Sequence, residues 1–344
     1  MGSRLTAADQ TIEGPLRGHH HKTYVIPLPG RAGRYKLREP RRGVLWFDRR
    51  CFASEEELLR VLAGQVSRIP GIVEVEPGVL IQGFIEGRTL GHGVLPSKAL
   101  SERHRGQLGA LFGELTSFDV RAIEAQRVCD GADLPLDGDS HAFLTRLIRF
   151  TEDRVYREHG APYHALFKDL GVREGALDEL VRRAESLTER AFALVHGDLH
   201  RRNLIVDGAG DLWTIDWELA MIGDPLYDLA THLHLMRYSR KEAGRVGRDW
   251  RRAVEERRPE CVKGWDTDLP VLLAYKRAQS VYTDVIRAAV ALGGPDGRPN
   301  RRQLPRLAWR IKGALDAARE PLGLTAEPSV REVIGAYNRW LRTR

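Results

Sequence analysis

The fold is decided by the stretch His196-Gly197-Asp198-Leu199-His200-Arg201-Arg202-Asn203, which is followed by Ile215-Asp216-Trp217-Glu218 after a short apolar segment. That segment runs through Leu204-Ile205-Val206, turns at Asp207-Gly208-Ala209-Gly210 and returns through Leu212-Trp213-Thr214-Ile215, a pattern that predicts a β-hairpin. The first strand begins where the second one ends. Antiparallel pairing therefore predicts that Asn203 lies beside Asp216.

These side chains suit the transfer of a phosphoryl group. Such a reaction needs a base that orients the attacking hydroxyl and oxygen ligands that hold a metal ion against the phosphate. Asp198 and Asn203, five residues apart, resemble the base and the metal ligand of the kinase catalytic loop, His-x-Asp-x-x-x-x-Asn. A polar loop alone would account for that spacing, but the hairpin that leads to Asp216 favours a site.

A third motif, Gly223-Asp224-Pro225-Leu226-Tyr227-Asp228-Leu229-Ala230, completes the pattern. The three motifs together resemble those of the aminoglycoside phosphotransferase and choline kinase family, written H-G-D-L-H-x-x-N, I-D-W-E and G-D-P-x-x-D-L-A. The resemblance is strong from about residue 193 to residue 234 and weaker over the N-terminal third. It implies that Asp198 is the catalytic base and that Asn203 and Asp216 bind Mg²⁺. It also implies that Asp228 braces the catalytic loop.

The same resemblance implies an α+β, protein-kinase-like fold with two lobes. Residues 9–90 would form a small antiparallel-sheet lobe that binds nucleotide and ends in a hinge. Residues 91–344 would form a mainly helical lobe with the catalytic loop and the acceptor pocket. The residue pattern agrees, because alternation predicts strands near 11–13, 23–26, 34–38, 72–76 and 79–82, and apolar periodicity predicts helices over 100–118, 141–156, 174–187, 241–257, 269–292, 301–318 and 330–341.

The loop between the first two strands, residues 14–22, is expected to cover the nucleotide phosphates. By resemblance to the family's nucleotide loop, Gly18, His20 and His21 would lie against them. The adjacent histidines lack the spacing of a zinc site. On the third strand, alternation directs Lys36 and Arg38 to one face, so that either could neutralise phosphate charge. The family pattern of an apolar residue followed by a cation favours Arg38.

The residues that begin the helix after this strand include the carboxylate expected to pair with the phosphate-binding cation. Ser54 and Glu57 have the spacing of a capping box, so the sequence predicts a structural role for Glu57. Glu55 matches the glutamate with which relatives hold the phosphate-binding cation, and Glu56 is the next candidate. Capping alone would also explain all three acidic residues.

The motifs specify fewer residues of the hinge and of the acceptor pocket than of the catalytic loop. Gly83, Phe84 and Ile85 are the expected neighbours of the nucleotide base, with backbone groups of Gly83 and Ile85 as hydrogen-bonding partners. A plain interlobe linker would contain similar residues. In relatives the C-terminal helices supply the acceptor pocket, so the residues to examine are Trp265, Asp266, Asp268, Tyr282 and Asp284, although a place in the core or on the surface explains each as readily.

The composition excludes several other classes of protein. The chain has 344 residues, a formal charge of +7 and three cysteines without metal-ligand spacing. This length suffices for two lobes without disulfides, and the cysteine usage favours a cytoplasmic setting. No apolar run has the length of a membrane span. We therefore expect no membrane association. Because basic residues are scattered rather than clustered with aromatic ones, we expect no nucleic-acid partner.

The sequence thus predicts an enzyme that moves the γ-phosphate of ATP or GTP, with Mg²⁺, to a hydroxyl of a small molecule. An antibiotic, whether an aminoglycoside or another, is the first expectation for the acceptor. A metabolic kinase of an amino alcohol, a sugar or a nucleoside is the alternative. A nucleotide-binding pseudokinase is the non-enzymatic alternative, and it would be expected to lack the base or a metal ligand. The sequence gives no indication of oligomeric state.

Overall fold

An antiparallel sheet and one helix form the smaller part of the molecule. The computed structural model describes residues 12–16, 21–41, 44–91, 99–129, 135–293 and 299–343. In this part of the chain a five-stranded sheet has the spatial order β1-β2-β3-β5-β4. Its strands are β1 (Glu13–Leu16), β2 (His21–Pro27), β3 (Arg34–Pro40), β4 (Ile72–Glu76) and β5 (Val79–Gly83). The predicted strands are therefore confirmed, with the first one shifted by two or three residues.

Helix α1 (Glu55–Leu62) packs Leu58, Leu59 and Leu62 into the core, and all three side chains are fully buried. Ser54 caps the helix, since its side chain accepts a hydrogen bond of 3.1 Å from the Glu57 N–H. The reciprocal half of the predicted capping box is absent from the described residues. The Glu57 carboxylate instead accepts from the Gln126 N–H at 3.5 Å, because the chain returns past this helix end and offers a second donor.

The predicted hairpin is confirmed. Strands β8 (Leu204–Val206) and β9 (Leu212–Thr214) pair antiparallel, and Leu204 lies opposite Thr214. The short strand β6 (Arg88–Thr89), which follows the hinge segment, pairs with β8. Strand β7 (Ala193–Val195) precedes the catalytic loop and pairs with β10 (Met221–Gly223). The catalytic loop thus begins on one two-stranded ladder and ends on the hairpin, which fixes both of its ends.

Helices build the larger part of the molecule and contain most of the core. The described helices are α2 (Glu102–Ser117), α3 (Ser140–Phe150), α4 (His164–Asp169), α5 (Asp178–Ala184), α6 (Pro225–Met236), α7 (Arg240–Glu255), α8 (Trp265–Gly293), α9 (Leu304–Ala318) and α10 (Val330–Arg342). A π-helical segment, Thr151–His159, continues α3. Each helix predicted by apolar periodicity is present, although the one predicted over 174–187 is reduced to α5 and the second half of the one predicted over 141–156 is π-helical. The longest described helix, α8, packs against both α6 and α9 and so lies at the centre of this lobe.

A buried ion-pair cluster fixes α6 relative to α8. The Arg190 side chain is fully buried and its Nη1 atom donates to Asp224 at 2.6 Å, while its Nη2 atom donates to Asp268. Asp224 also caps α6, because its carboxylate accepts from the Leu226 N–H at 2.9 Å, as the Asp-Pro sequence predicts. A buried guanidinium needs carboxylate partners. Arg190 therefore sets the position from which α6 supports the catalytic loop.

Residues 44–53, which we call the strap, connect β3 to α1 and cross to the helical lobe. Phe47, Cys51 and Phe52 on the strap are buried. Phe52 forms an isolated antiparallel bridge with Arg127, and the Ala53 N–H donates to the Gln126 carbonyl at 2.8 Å. The sequence pattern gave no indication of this segment. Its backbone bonds anchor the smaller lobe to the larger one.

Two further observations concern the cysteines and the possibility of a membrane span. All three cysteines are free thiols, and two of them are buried. Among the helices of the described residues, none combines the length and the apolarity that a membrane crossing demands.

Candidate active site

The catalytic loop is held from beneath by Asp228. The backbone N–H groups of His196 and Gly197 each donate to one Asp228 carboxylate oxygen at 2.7 Å. Burial raises the pKa of Asp228 to about 6, although the two backbone bonds oppose that rise. Gly197 has a φ of +78°, and a Cβ there would lie 2.6 Å from the Leu219 carbonyl oxygen. The loop turn therefore requires glycine, and Asp228 occupies the bracing position expected from the sequence.

His196 joins the loop to the segment that carries Asp216. Its side chain is fully buried, with Nε2 3.2 Å from the Ile215 carbonyl and its ring 4.6 Å from that of Trp217, measured between centroids. Burial lowers the pKa of His196 to about 4, so the ring is neutral at pH 7. A neutral ring that donates through Nε2 serves structure rather than proton transfer.

The structure brings Asp198 and Asn203 into direct contact. The Asn203 Nδ2 atom donates to the Asp198 carbonyl and to its Oδ2 atom, each at 3.0 Å. The backbone of Asn203 is fixed as well, because its carbonyl accepts from the Ile215 N–H at 3.0 Å. With both amide protons turned toward Asp198, the amide oxygen of Asn203 remains for another partner. Oxygen ligands of this kind suit Mg²⁺.

Asp216 follows β9 in a left-handed conformation, with a φ of +69° that non-glycine residues seldom adopt. Burial raises its pKa, and the neighbouring Glu55 raises it further. Burial also raises the pKa of Asp198, and Asp216 and Asp48 add to that effect. Several carboxylates thus share one partly buried region, where a divalent cation would relieve their repulsion. The donor set fits the Mg²⁺ ion predicted from the sequence.

Arg38 and Glu55 form an ion pair between β3 and α1. Arg38 donates one bond to Glu55 and another to Glu56. Burial opposes the ionisation of Glu55, yet Arg38 and Lys36 lower its pKa to about 2. The Glu55 Oε1 atom also accepts from the Trp217 N–H at 3.0 Å. One carboxylate therefore connects the candidate phosphate-binding cation to the segment that carries Asp216.

Lys36 shares this environment without an ion pair. It lies on the same strand as Arg38, two residues earlier, and its charge lowers the pKa of both Glu55 and Asp216. No carboxylate of the described residues lies within ion-pairing distance of its ammonium group. The charges of both cations thus act on Glu55 and on Asp216. Which of them binds phosphate stays a prediction.

Of the residues expected in the phosphate loop, the structure describes His21, whereas Gly18 and His20 lie outside the described residues. The His21 Nδ1 atom is 3.6 Å from Glu218 Oε2. Burial and the nearby Asp216 raise the pKa of Glu218 to about 7, and burial lowers that of His21. The first residue of β2 therefore lies against the segment that follows Asp216.

The hinge residues are engaged to different degrees. The Gly83 N–H donates to the Gly71 carbonyl at 2.7 Å, and the Phe84 N–H donates to the Arg34 carbonyl at 2.8 Å. The Arg34 guanidinium also lies over the Phe84 ring, 5.0 Å from its centroid. Ile85 has no backbone hydrogen bond to the described residues. Of the two backbone groups predicted to bind the base, only Ile85 retains a free N–H, because Gly83 N–H is already paired.

Sequence reasoning missed a polar network on the other side of the catalytic loop. Gln279 on α8 donates from Nε2 to Asp48 Oδ1 on the strap at 2.9 Å. Lys276 donates to Gln279 Oε1 at 2.7 Å and to the Tyr227 hydroxyl at 3.2 Å. A buried lysine within the apolar pattern of α8 was the available signal, but nothing in the sequence pairs it with the strap.

The acceptor-pocket candidates named from the sequence have other contacts. Asp268 pairs with Arg190, and Asp284 lies 3.4 Å from the Arg310 guanidinium. Tyr282 packs in the core, while Asp266 is exposed at the start of α8. Trp265 packs near Trp250, with ring centroids 6.5 Å apart. Core and surface contacts account for all five.

A sheet lobe and a helical lobe meet where Asn203 contacts Asp198, where Asp228 braces the catalytic loop and where Glu55 holds Arg38. This combination of fold and site is that of the kinase-like phosphotransferases. A family model described as the phosphotransferase enzyme family matches residues 11–265. The chain therefore belongs to this family. Its predicted class, an enzyme that transfers phosphoryl groups to small molecules, is confirmed.

Solved structures agree with this fold. The chain is similar to a macrolide 2′-phosphotransferase from Brachybacterium faecium at 16% identity, with 93% of each chain covered and a TM-score of 0.53. It is similar to a choline kinase from Cryptosporidium parvum at 13% identity, with 98% of this chain and 95% of that chain covered and a TM-score of 0.56. An ADP-bound aminoglycoside phosphotransferase, APH(2″)-Ib, is 17% identical over 92% of this chain and 95% of that chain, with a TM-score of 0.51.

These identities are low enough that the likeness concerns the fold alone. The predicted two-lobed, protein-kinase-like α+β architecture is confirmed. A comparison with curated protein sequences finds no match.

Proposed function

We propose that the protein transfers the γ-phosphate of ATP or GTP to a hydroxyl group of a small molecule and requires Mg²⁺. One observation carries the proposal, namely the contact of Asn203 with Asp198, whose pKa the nearby half-buried carboxylate of Asp216 raises. A base and two oxygen ligands are what an in-line phosphoryl transfer asks of a protein. Asp228 and His196 hold these groups in place before any ligand arrives, so the protein need not reorganise to reach them.

Asp198 is the group that accepts and orients the acceptor hydroxyl. Its side chain is 27% exposed, enough for a hydroxyl to reach it, and Asn203 fixes one of its oxygens. The raised pKa of Asp198 makes its carboxylate a stronger base than a solvated aspartate.

Asn203 and Asp216 would hold Mg²⁺, through the amide oxygen of one and the carboxylate of the other. The ion supplies a positive charge that neutralises the phosphate oxygens and holds them in line. Asp216 takes up its left-handed conformation just after the hairpin, and its charge raises the pKa of Asp198 in the catalytic loop. Each oxygen of the Asp228 carboxylate already accepts a backbone N–H, so we assign it the role of a brace rather than of a ligand.

The nucleotide lies between the sheet lobe and the hairpin in this proposal. Arg38, aligned by Glu55, and Lys36 lie near Asp216, so both can act on the phosphates. Gly18, His20 and His21 are proposed to contribute from the loop before β2. Ile85 and Phe84 are proposed to meet the base at the hinge. The ADP in the similar aminoglycoside phosphotransferase supports a nucleotide donor.

For the acceptor, an antibiotic remains the first proposal, supported by the similar macrolide and aminoglycoside phosphotransferases. An amino alcohol, a sugar or a nucleoside is the second, supported by the similar choline kinase. A pseudokinase is disfavoured, because Asp198, Asn203 and Asp216 are all present and converge.

The test is transfer of labelled γ-phosphate from ATP and from GTP, with and without Mg²⁺, to a panel of antibiotics and hydroxylated metabolites. We expect acceptor-dependent turnover that chelation abolishes and that Asp198→Ala removes. An Asp153→Ala variant, altered at an exposed residue of the segment after α3, is the matched control and should retain activity. Nucleotide turnover that is indifferent to Mg²⁺ or to Asp198 would refute the proposed mechanism.

A further inference from the structure

Asp198 has a second side, which the proposed nucleotide and metal residues do not occupy. There α8 passes the catalytic loop, with Ser280 Oγ 2.6 Å from His234 Nε2 on α6. Between α8, the strap and the loop lies a small recess, whose lining includes Asp48, Gly197, Tyr227 and Gln279. Gly197, the residue before Asp198, lines this recess, so the recess adjoins the catalytic loop. In an in-line transfer the acceptor hydroxyl attacks the phosphate opposite the leaving group and must also reach Asp198, so we call the side of the loop that faces this recess the acceptor side.

Different cations act on the two aspartates of the site. Arg38, Lys36 and Arg202 are the cations that lower the pKa of Asp216. The cations that lower the pKa of Asp198 are different ones, Lys276 and Arg287, both of which come from α8. The acceptor side therefore has its own positive charges.

Lys276 is accounted for by the fold. Its side chain is 5% exposed, donates to Tyr227 and Gln279, and lies 5.0 Å from the centroid of the Tyr227 ring. It also lowers the pKa of Asp228, so that it balances the carboxylates beneath the loop. Hydrogen bonds, an aromatic face and nearby negative charge together explain this buried ammonium.

The positive charge of Arg287 is not balanced by the fold in the way that the charge of Lys276 is. Its guanidinium lies over the ring of Phe47 on the strap, 4.7 Å from the centroid, and is partly buried. Its Nε atom is buried without a hydrogen-bond partner. No carboxylate of the described residues lies within ion-pairing distance of it. Its charge nevertheless reaches the catalytic loop, where it lowers the pKa of both Asp198 and His200.

A guanidinium fixed against an aromatic ring keeps its N–H edge in a set orientation. Such an edge matches the paired oxygens of a carboxylate or a phosphate better than it matches a neutral hydroxyl. Partial burial strengthens the interaction with an anion and makes an unpaired charge costly. A polycationic ligand would be repelled from the same place.

We propose that Arg287 binds an anionic group, a carboxylate or a phosphate, on the hydroxyl-bearing acceptor. This inference rests on the proposed phosphotransferase function and narrows its substrate class. Phe47 fixes the guanidinium, Arg287 holds the anion, and the acceptor hydroxyl extends from there to Asp198. Among the acceptors considered above, hydroxylated compounds with an acidic group are favoured over polycationic aminoglycosides.

The test uses four acceptors built on one skeleton, so that only the charge differs: glycerol, glycerate, glycerol phosphate and aminopropanediol. Each is titrated calorimetrically into the full chain saturated with Mg²⁺ and a non-hydrolysable ATP analogue. The variants are Arg287→Gln, Arg287→Lys and Arg277→Gln. Arg277 is exposed on the same helix and serves as the matched control. The glycerate and glycerol phosphate arms distinguish a carboxylate from a phosphate.

We expect one of the two anions to bind about 10- to 100-fold more tightly than glycerol, the range of a charge-assisted hydrogen bond. Arg287→Gln should abolish that preference, Arg287→Lys should keep part of it, and Arg277→Gln should leave it unchanged. Equal binding of all four compounds, no binding of either anion, or a preference that survives Arg287→Gln would overturn the proposal. Failure of the nucleotide analogue to bind would instead count against the proposed function, and the anion preference would then be measured without nucleotide.

Discussion

The two sides of Asp198 are built in different ways. On the metal side, Asn203 and Asp216 come from one continuous segment, and the carboxylate of Glu55 is paired with Arg38 within the chain. On the acceptor side, the groups come from the strap and from α8, more than two hundred residues apart in sequence. There Arg287 has no carboxylate partner among the described residues. The metal side thus pairs Arg38 with a carboxylate of the chain, whereas on the acceptor side the Arg287 Nε atom is buried without a hydrogen-bond partner.

This difference separates chemistry from specificity. The hairpin fixes the reacting groups through local backbone pairing, so the same arrangement can serve many acceptors. Acceptor recognition depends on how a long helix and a connecting segment happen to pack together. Variants on the two sides should therefore change different quantities, namely the rate of transfer on one side and acceptor affinity on the other.

The largest effect is expected for Asp198→Asn. The amide keeps the size of the side chain but cannot accept the hydroxyl proton, so turnover should fall by about 10²–10⁴-fold. The nucleotide dissociation constant should change little, because the phosphate-binding cations are untouched. Single-turnover transfer and nucleotide titration measure the two quantities. Equal losses of both would erase the distinction between the two sides.

A large effect on stability is expected for Asp228→Asn. One of the two backbone N–H groups, of His196 or Gly197, would then face an amide NH₂ and lose its acceptor. Loss of a buried hydrogen bond to a charged group should lower the free energy of unfolding by about 2–3 kcal/mol. Urea unfolding at pH 7 measures it, with Asp153→Asn, at an exposed position, as the control. An unchanged midpoint would mean that the loop holds its turn without this brace.

Replacing the two cations of β3 should decide between them. Because Arg38 is aligned by Glu55, we expect Arg38→Gln to raise the KM for nucleotide about 10- to 100-fold and Lys36→Gln to raise it less. The matched pair removes one charge at each of two positions on one strand face. Steady-state kinetics with varied nucleotide provides the measurement. A larger effect at Lys36 would reverse the assignment.

The smallest effect is a dependence of stability on pH. Burial lowers the pKa of His232 to about 4 from 6.5, so the unfolded chain takes up this proton first as the pH falls. The contribution of His232 is complete above pH 6.5 and is lost as the pH falls toward 4, while Asp228, with its raised pKa, acts in the opposite direction. Between pH 7 and pH 5, His232→Gln should therefore lose about 1–2 kcal/mol less stability than the wild type. Parallel losses in the two proteins, measured by urea unfolding, would contradict this assignment.

Local signals in the sequence were sufficient for much of the fold and the metal side. The turn at Asp207-Gly208-Ala209-Gly210 predicted the β8–β9 hairpin, and the Asp224-Pro225 pair predicted the start of α6. Each depends on residues close together in the chain, where the backbone alone decides the outcome. The capping box at Ser54 was half wrong because a distant residue, Gln126, competes for the Glu57 carboxylate.

The acceptor side could not be predicted for the same reason. Asp48 and Gln279 meet only after the strap has crossed to the helical lobe, and no local pattern encodes that crossing. Arg287 looks like any arginine on a long helix until Phe47 is found beneath it. The expected contributions of Gly18 and His20 lie outside the described residues and stay predictions.

The most direct test of the central claim, that Asn203 and Asp216 hold the catalytic metal, is the affinity of Mn²⁺ for the nucleotide-loaded protein, measured by electron paramagnetic resonance. Even outer partners of metal ligands are worth 10–100-fold in affinity, so Asp216→Asn should weaken Mn²⁺ binding by at least about that factor. Asp207→Asn, in the exposed turn of the same hairpin, should bind Mn²⁺ as the wild type does. Equal affinities in the wild type and Asp216→Asn would contradict the claim.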